Sequence, residues 1–349
     1  MIDCRNLAKS YGAVKAVSGI SLSLDEHEFL SILGPSGCGK STLLRLIAGL
    51  ELPSQGQIFL YGQEISGREI ILPPERIKFG MIFQDFALFP HLSVKDNVGY
   101  GAAGSKKEKE QRVHELLELV NLPHLATKMP HQISGGEQQR IALARALAAR
   151  PSLILMDEPF SNLDYQLRQQ LRCDIRQILK HEGVATVLVT HDQVEAITFS
   201  DRMLLMQKGE IVQEGTPSDI YQTPQTIWAS SFVGEANHLP VEWQNDSLLT
   251  PLGELNVPSE IGENASIMMV RPEDFKLESV SADQANGIVN SVDFSGSVQT
   301  VGVVLKSSVS VQINGSPHLL WSQNDYVKVT AERYLCFNSS GNRLNRNPE

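Results

Sequence analysis

Nine consecutive residues, Gly34-Pro35-Ser36-Gly37-Cys38-Gly39-Lys40-Ser41-Thr42, carry the most specific chemistry in the chain. Gly34, Gly37 and Gly39 let the backbone turn tightly enough for successive N–H groups to face an anion, and a helix starting near Lys40 adds the positive end of its dipole. In that pattern Lys40 reaches the β- and γ-phosphates of a nucleotide, and the Ser41 hydroxyl ligates Mg²⁺. A second set of residues fits the same chemistry. Leu153-Ile154-Leu155-Met156-Asp157-Glu158-Pro159 closes an apolar run on two acids. Asp157 at a strand end suits Mg²⁺, which prefers hard oxygen ligands. Glu158, one residue on, points elsewhere and could polarise an attacking water. Two acids after a strand otherwise cap a helix, but after a phosphate loop they read as a Mg-dependent nucleoside triphosphatase. A further apolar run, 185 to 190, delivers His191 to a strand end, where an imidazole could contact the γ-phosphate or serve structure alone.

Three weaker candidates flank these. Tyr11 lies some twenty residues ahead of the loop and offers a flat ring for adenine, although core packing is the ordinary role of a lone Tyr. Gln84 ends the strand-like run Lys78 to Gln84, and its amide oxygen is a neutral ligand able to attach to Mg²⁺ and release it. An exposed hydrogen-bonding residue is the plainer reading. Ile133-Ser134-Gly135-Gly136-Glu137 opens a helix-forming run to Arg150, with a hydroxyl and bare N–H groups forming a second anion cradle.

The elements that must position these groups follow from hydropathy. Phe29 to Leu33 before the loop and Leu43 to Leu50 after it give strand, glycine loop, helix. Residues 106 to 121 form a charged amphipathic helix with Val113, Leu116, Leu117 and Val120 on one face. The segment 85 to 94 sets Phe86, Leu88, Phe89 and Leu92 in a loop, which reads as a docking surface or as a small satellite core. From about Ala236 the chain changes to short strands between Asn, Gly and Pro, at 265–270, 287–294, 298–305 and 326–330, as in a small barrel or sandwich. The tail from Ser339 is expected to be disordered.

The whole sequence of 349 residues has room for two cores. Its net charge of −10 and scattered basic residues give no electrostatic footprint for nucleic acid. Cys4, Cys38, Cys173 and Cys336 show no metal-ligand spacing, which suits a reduced compartment. The first residues are expected to enter a strand directly, without a secretory leader. No apolar run approaches the roughly eighteen residues that cross a bilayer, so another chain would supply any membrane anchor.

Taken in order and spacing, residues 1 to about 235 resemble the nucleotide-binding subunit of an ABC transporter. That resemblance implies an α/β P-loop ATPase domain over 1–235, with a helical signature subdomain at about 85–150. It makes Tyr11 the adenine-stacking aromatic, 34–42 the Walker A loop and Gln84 the Q-loop glutamine. It makes 133–137 the signature, Asp157 the Walker B acid, Glu158 the catalytic base, Asp164 the D-loop acid and His191 the switch histidine. The family's usual signature is Leu-Ser-Gly-Gly-Gln; Ile133 and Glu137 depart from it, and Glu137 would repel phosphate if it faced the nucleotide. The resemblance further implies a head-to-tail homodimer sharing two ATP molecules with Mg²⁺, and permease subunits docking near Gln84–Val94. A solute-binding protein outside the cell would feed that permease, and the chain would sit peripherally on the cytoplasmic face of the bacterial inner membrane.

Residues 236–349 are similar, through Val270-Arg271-Pro272-Glu273, to the oligonucleotide-fold-like all-β regulatory domain of bacterial importer ATPases, whether it binds a ligand, a protein or its own copy. Gly80 to Gly101 with Phe232-Val233-Gly234-Glu235-Ala236-Asn237 most resembles ferric-iron importer ATPases, while sulfate, polyamine and sugar importers share most of these residues. A regulator that uses ATP-driven dimerisation as a switch, outside transport, is the alternative from another class.

Overall fold

A computed structural model describes residues 1–67, 72–161 and 163–344, and these divide into two compact units, Met1–Ser218 and Asp219–Glu349. The first unit begins with β1 (Ile2–Tyr11), β2 (Val14–Leu24), β3 (Phe29–Leu33), α1 (Lys40–Ile47), β4 (Gln55–Leu60), β5 (Gln63–Ser66), α2 (Pro74–Ile77) and β6 (Phe79–Ile82). It continues with α3 (Val94–Gly99), α4 (Lys106–Leu119), α5 (Gly135–Ala148), β7 (Leu153–Asp157), α6 (Tyr165–Glu182), β8 (Ala185–Thr190), α7 (Gln193–Phe199), β9 (Arg202–Gln207) and β10 (Glu210–Gly215).

Two sheets result. One is antiparallel, in the order β2-β1-β4-β5; the other runs β10-β9-β3-β8-β7-β6, with parallel pairing from β9 through β6. Every residue of β3 and β8 is buried. That is why these strands read as largely apolar runs, with only the small hydroxyls of Ser31, Thr186 and Thr190 among them: a parallel sheet is covered on both faces, so no position is left for a polar side chain to face water. One face packs with α1 and the antiparallel sheet through Leu30, Ile32, Leu43 and Val187, and the other packs with the helical segments through Ile82, Ile141, Met156 and Phe160. Register then decides where function sits. Leu33 pairs with Thr190, Asp157 with Val189 and Ile82 with Met156, so the chain leaves β3, β6, β7 and β8 along one edge of the sheet. In open α/β sheets that carboxyl edge is where ligands bind.

The helical part follows the expected pattern. In α4, Leu116 and Leu117 are buried, as is Val120 just after it, and a Ser105–Glu108 capping box starts the helix. The segment 84–94 departs from a simple docking surface. Phe86 is 6 % exposed and belongs to the main core, held in a left-handed turn with φ 60° at Phe86 and 47° at Ala87. Arg145 fixes that turn by donating to the Ala87 and Phe86 carbonyls at 2.6 and 2.9 Å. Buried Asn97 clasps the rest, accepting from Phe89 N at 2.8 Å and donating to Phe89, Leu92 and Ser93 carbonyls. Phe86 is therefore a core residue, and no docking partner can reach its ring without unfolding the turn.

The chain passes into the second unit within α8 (Pro217–Gln222), followed by α9 (Ile227–Phe232), β11 (Asn237–Pro240), β12 (Glu242–Gln244), β13 (Ser247–Thr250), β14 (Gly253–Leu255) and α10 (Ser259–Gly262). Then come β15 (Ile267–Val270), β16 (Phe275–Ser279), β17 (Gly287–Phe294), β18 (Gln299–Leu305), β19 (Ser310–Gly315), β20 (Tyr326–Ala331) and β21 (Leu335–Phe337). The sheets are β16-β20-β17-β18-β19, β11-β15-β21 and β12-β13-β14, around a core that includes Leu239, Val270, Val289, Val303, Ile313 and Val329.

The division at 218 precedes the boundary expected near 235, because residues 219–235 are tied into the β-rich unit. Arg271, 3 % exposed, donates to the Ser230 and Glu235 carbonyls at 2.8 Å each and to Tyr221 at 2.9 Å. Residues 339–344, expected to be disordered, are also held: Ile227 N donates to Gly341 O and Arg343 N to Gln225 O, both at 2.9 Å. Residues 345–349 of that tail lie outside the described residues. Among the described residues no helix is long and apolar enough to cross a membrane.

Candidate functional site

Residues 34–39 leave the buried end of β3 and turn straight into α1. The turn requires glycine at two places. At Gly34 a Cβ would lie 2.3 Å from the Met206 carbonyl, and at Gly39, with φ 107°, a Cβ would lie 2.0 Å from the Ala16 carbonyl. Gly34, Cys38 and Lys40 are thus packed inward, while Ser36 and Gly37 form the exposed tip and Pro35 is half-buried. The start of α1 carries no side-chain cap, so its first N–H groups are satisfied by nothing within this helix. Lys40, 4 % exposed, folds back over the loop and donates to the Gly34 and Pro35 carbonyls at 2.8 and 3.0 Å. A buried ammonium held by carbonyls alone, beside bare N–H groups, is a receptor for a multivalent anion.

The acids meet this loop across the sheet. Ser41 Oγ donates to Asp157 Oδ1 at 2.8 Å, so the first turn of α1 and the end of β7 share one polar contact. Burial pushes the Asp157 carboxyl up, and the Ser41 hydrogen bond opposes that. A half-buried carboxylate paired with a hydroxyl supplies adjacent hard oxygens, which fits a small divalent cation that neutralises the carboxylate. Glu158 follows with φ 47°, a conformation costly to a residue with a Cβ. Its N–H donates to Val189 O at 2.9 Å, and its carboxylate lies 3.1 Å from His191 Nδ1. His191 is exposed at the end of β8. Gln84 is exposed two residues past Ile82, on the strand next to β7, and so leaves the same sheet edge.

Tyr11 is 47 % exposed, which removes the core-packing reading. Its hydroxyl hydrogen-bonds with Glu51 and Thr42, so the ring stands beside the first turn of α1, with Lys9 Nζ 5.4 Å over its face. The remaining set forms a separate place. Ser134 caps α5, and Glu137 folds back to accept from Ser134 N at 2.7 Å and Ser134 Oγ at 2.8 Å. This settles the direction of the Glu137 carboxyl: it closes a capping box on its own helix. Gly136 is buried against α6, where a Cβ would lie 2.9 Å from Leu167 Cδ2, and Gly135 is half-buried near Leu163. Asp164 caps α6 by accepting from Leu167 N at 3.0 Å. The structure thus brings Lys40, Ser41, Asp157, Glu158 and His191 to one sheet edge, and Ser134–Glu137 and Asp164 to the starts of two packed helices.

The sequence reading passed over Thr190, Asp192 and Glu195. Asp192-Gln193-Val194-Glu195 looks like an ordinary capping box, yet Glu195 is 2 % exposed and its carboxylate accepts from Thr190 Oγ1 at 2.6 Å. Strand-to-helix spacing alone gives no sign of that inward turn.

A parallel sheet with an uncapped glycine loop at one strand end and paired acids at another defines a P-loop nucleoside triphosphatase. Comparison with known proteins narrows this. Residues 17–161 match the family described as ABC transporter. The chain is 42 % identical over 306 residues to the Fe(3+) ions import ATP-binding protein FbpC of Pseudomonas fluorescens, covering 86 % of both chains. It is likewise 42 % identical over 316 residues to the spermidine/putrescine import ATP-binding protein PotA of Roseobacter denitrificans, again covering 86 % of each. Among solved structures, the ATP-binding cassette MJ0796, a dimer bound to ADP and Pi, superposes with a TM-score of 0.55 at 33 % identity, covering 62 % of this chain and 99 % of that one. The chain belongs to the ATP-binding subunits of ABC transporters and is an ATPase.

Proposed function

We propose that two copies of this chain close head to tail over two molecules of Mg-ATP and use hydrolysis to drive import of a small solute, ferric iron, through a transmembrane permease. The observation that carries the catalytic part is the Glu158–His191 contact of 3.1 Å beside the Ser41–Asp157 pair. In this reading Lys40 and the N–H groups of 34–42 bind the phosphates, and Tyr11 stacks on adenine. Ser41 and Asp157, with Gln84, hold Mg²⁺, which when bound neutralises phosphate charge. Glu158 takes the proton of the attacking water, and His191 orients Glu158 and the γ-phosphate. Ser134, Gly135 and Gly136 of one copy, with its Asp164, complete the pocket of the other.

Relatives named for Fe(3+) import support iron as solute, and a spermidine/putrescine importer of equal identity supports polyamine as the alternative solute. Permease docking draws support from a groove of about 770 Å³ beside the 84–94 segment, lined by Leu92, Tyr100, Lys106, Val113 and Leu117. The chain would act at the cytoplasmic face of the membrane, held there by its permease.

The test has two readouts. Glu158→Gln is expected to keep ATP binding and lose about 100-fold or more of steady-state hydrolysis, the range for removal of a general base; undiminished turnover overturns the assignment. Uptake of labelled ferric iron, polyamine, sulfate and sugar by cells with and without the gene then identifies the solute, and iron uptake that is unchanged without it overturns the iron reading.

A further inference from the structure

A polar cluster lies behind the loop that carries His191, and none of the roles above uses it. Thr190 Oγ1 donates to Glu195 at 2.6 Å and accepts from Asp192 N at 3.0 Å, while Asp192 Oδ1 accepts from Glu195 N at 2.9 Å. The residues on both sides of His191 are thereby stitched to one buried residue, Thr190 to the Glu195 carboxylate and Asp192 to the Glu195 N–H. Burial pushes the Glu195 carboxyl up, and beyond the Thr190 bond the charges of Arg168 and Arg172 pull it back while Asp192 adds to the rise. Both arginines come from α6. Arg172 is 6 % exposed, and Arg168 places Nη1 3.4 Å from Asp192 Oδ2 and Nε 3.9 Å from Glu195 Oε1.

Arg168 also grips the other catalytic loop. Its Nη2 donates to Leu163 O at 3.0 Å and Ser161 O at 3.4 Å. Ser161 binds back on the residue that matters, its Oγ and N donating to Glu158 O at 3.0 and 3.3 Å. The path then closes through the Glu158 carboxylate and His191 Nδ1, 3.1 Å apart. A guanidinium suits this position because its planar fork satisfies acceptors in two directions at once, which an ammonium on a flexible stem does not.

We infer that Arg168 is a positioning residue for hydrolysis: its guanidinium ties the loop after Glu158 to the loop around His191 and so sets the distance between those two side chains. The inference rests on the reading that Glu158 and His191 act on ATP. Its sequence logic is that α6 starts at the same loop that leaves Glu158, so one residue a turn into the helix sees both loops. A loss of register between them leaves the nucleotide bound and slows only the chemical step.

The test uses the full-length chain with Mg-ATP, measuring kcat and KM and, for slow variants, single turnovers with protein in excess. Arg168→Lys keeps the charge and loses the fork; it is expected to lower kcat about tenfold with KM within about twofold, the signature of an interaction that matters in the transition state. In a His191→Ala background the same change is expected to cost less than about twofold, because residues acting through one contact are not additive. Asp192→Asn keeps the helix-capping oxygen and removes the charge, and is expected to shift kcat in the same direction; it carries the test should Arg168→Lys fail to fold. Equal losses in both backgrounds, a rise in KM with kcat intact, or no change at all overturns the clamp. Full turnover by Glu158→Gln would instead overturn the underlying assignment, so the two failures are told apart.

Discussion

Two helix starts in this molecule have the composition of anion cradles, and they are built in opposite ways. At α1 the N-terminus has no side-chain cap and faces a buried Lys40 whose partners are neutral carbonyls. At α5 the N-terminus is already filled, with Ser134 and Glu137 satisfying each other in a capping box. The first site is short of negative charge and the second supplies its own. On the proposed function a nucleotide phosphate would bind α1 with full electrostatic gain, whereas at α5 it would share the dipole with a resident carboxylate. On that proposal the difference separates holding a ligand from closing upon it: tight capture would belong to the open start, and conditional engagement to the capped one.

Substitutions can break or sharpen this contrast. The largest effect is expected at the open start. Gly39→Ala drives a Cβ to 2.0 Å from the Ala16 carbonyl at φ 107°. Strain of that kind costs about 1–3 kcal/mol even before the clash, so affinity for Mg-ATP should fall at least about tenfold in a fluorescence titration. Unaltered affinity would mean that the loop is not the receptor. A smaller effect in the opposite direction is expected at the capped start. Glu137→Gln keeps an oxygen for the Ser134 bonds and removes the charge near the incoming phosphate. ATP-driven association should tighten by about two- to fivefold, the range of a charge at a helix end. Weaker association would show that the carboxylate helps closure.

The open start was legible in the sequence because everything it needs is local. Strand, glycines, lysine and hydroxyl are adjacent, and the paired acids at the end of β7 needed only the rule that a buried strand delivers its last residues to the sheet edge. Glu137 was less legible although the Ser134-to-Glu137 spacing is that of a capping box, since the same residues also fit an anion contact and spacing does not choose between them. Phe86 was left open between docking surface and satellite core because its burial depends on a left-handed turn held by Arg145, fifty-nine residues away. The unit boundary moved for a similar reason: Arg271 and the 341–343 segment reach back over long stretches of chain to bind residues 221–235. Short-range pattern revealed the chemistry, and long-range hydrogen bonding decided which side chains face it.

The central claim is that the open start of one copy and the capped start of another share a nucleotide. Its most direct test is the mass in solution of the full-length Glu158→Gln chain, by light scattering, with and without Mg-ATP. The account predicts a single chain of 38.5 kDa without nucleotide and twice that mass with Mg-ATP, reverting when EDTA removes the cation. A particle that stays single at saturating Mg-ATP, with nucleotide shown to be bound, would contradict it.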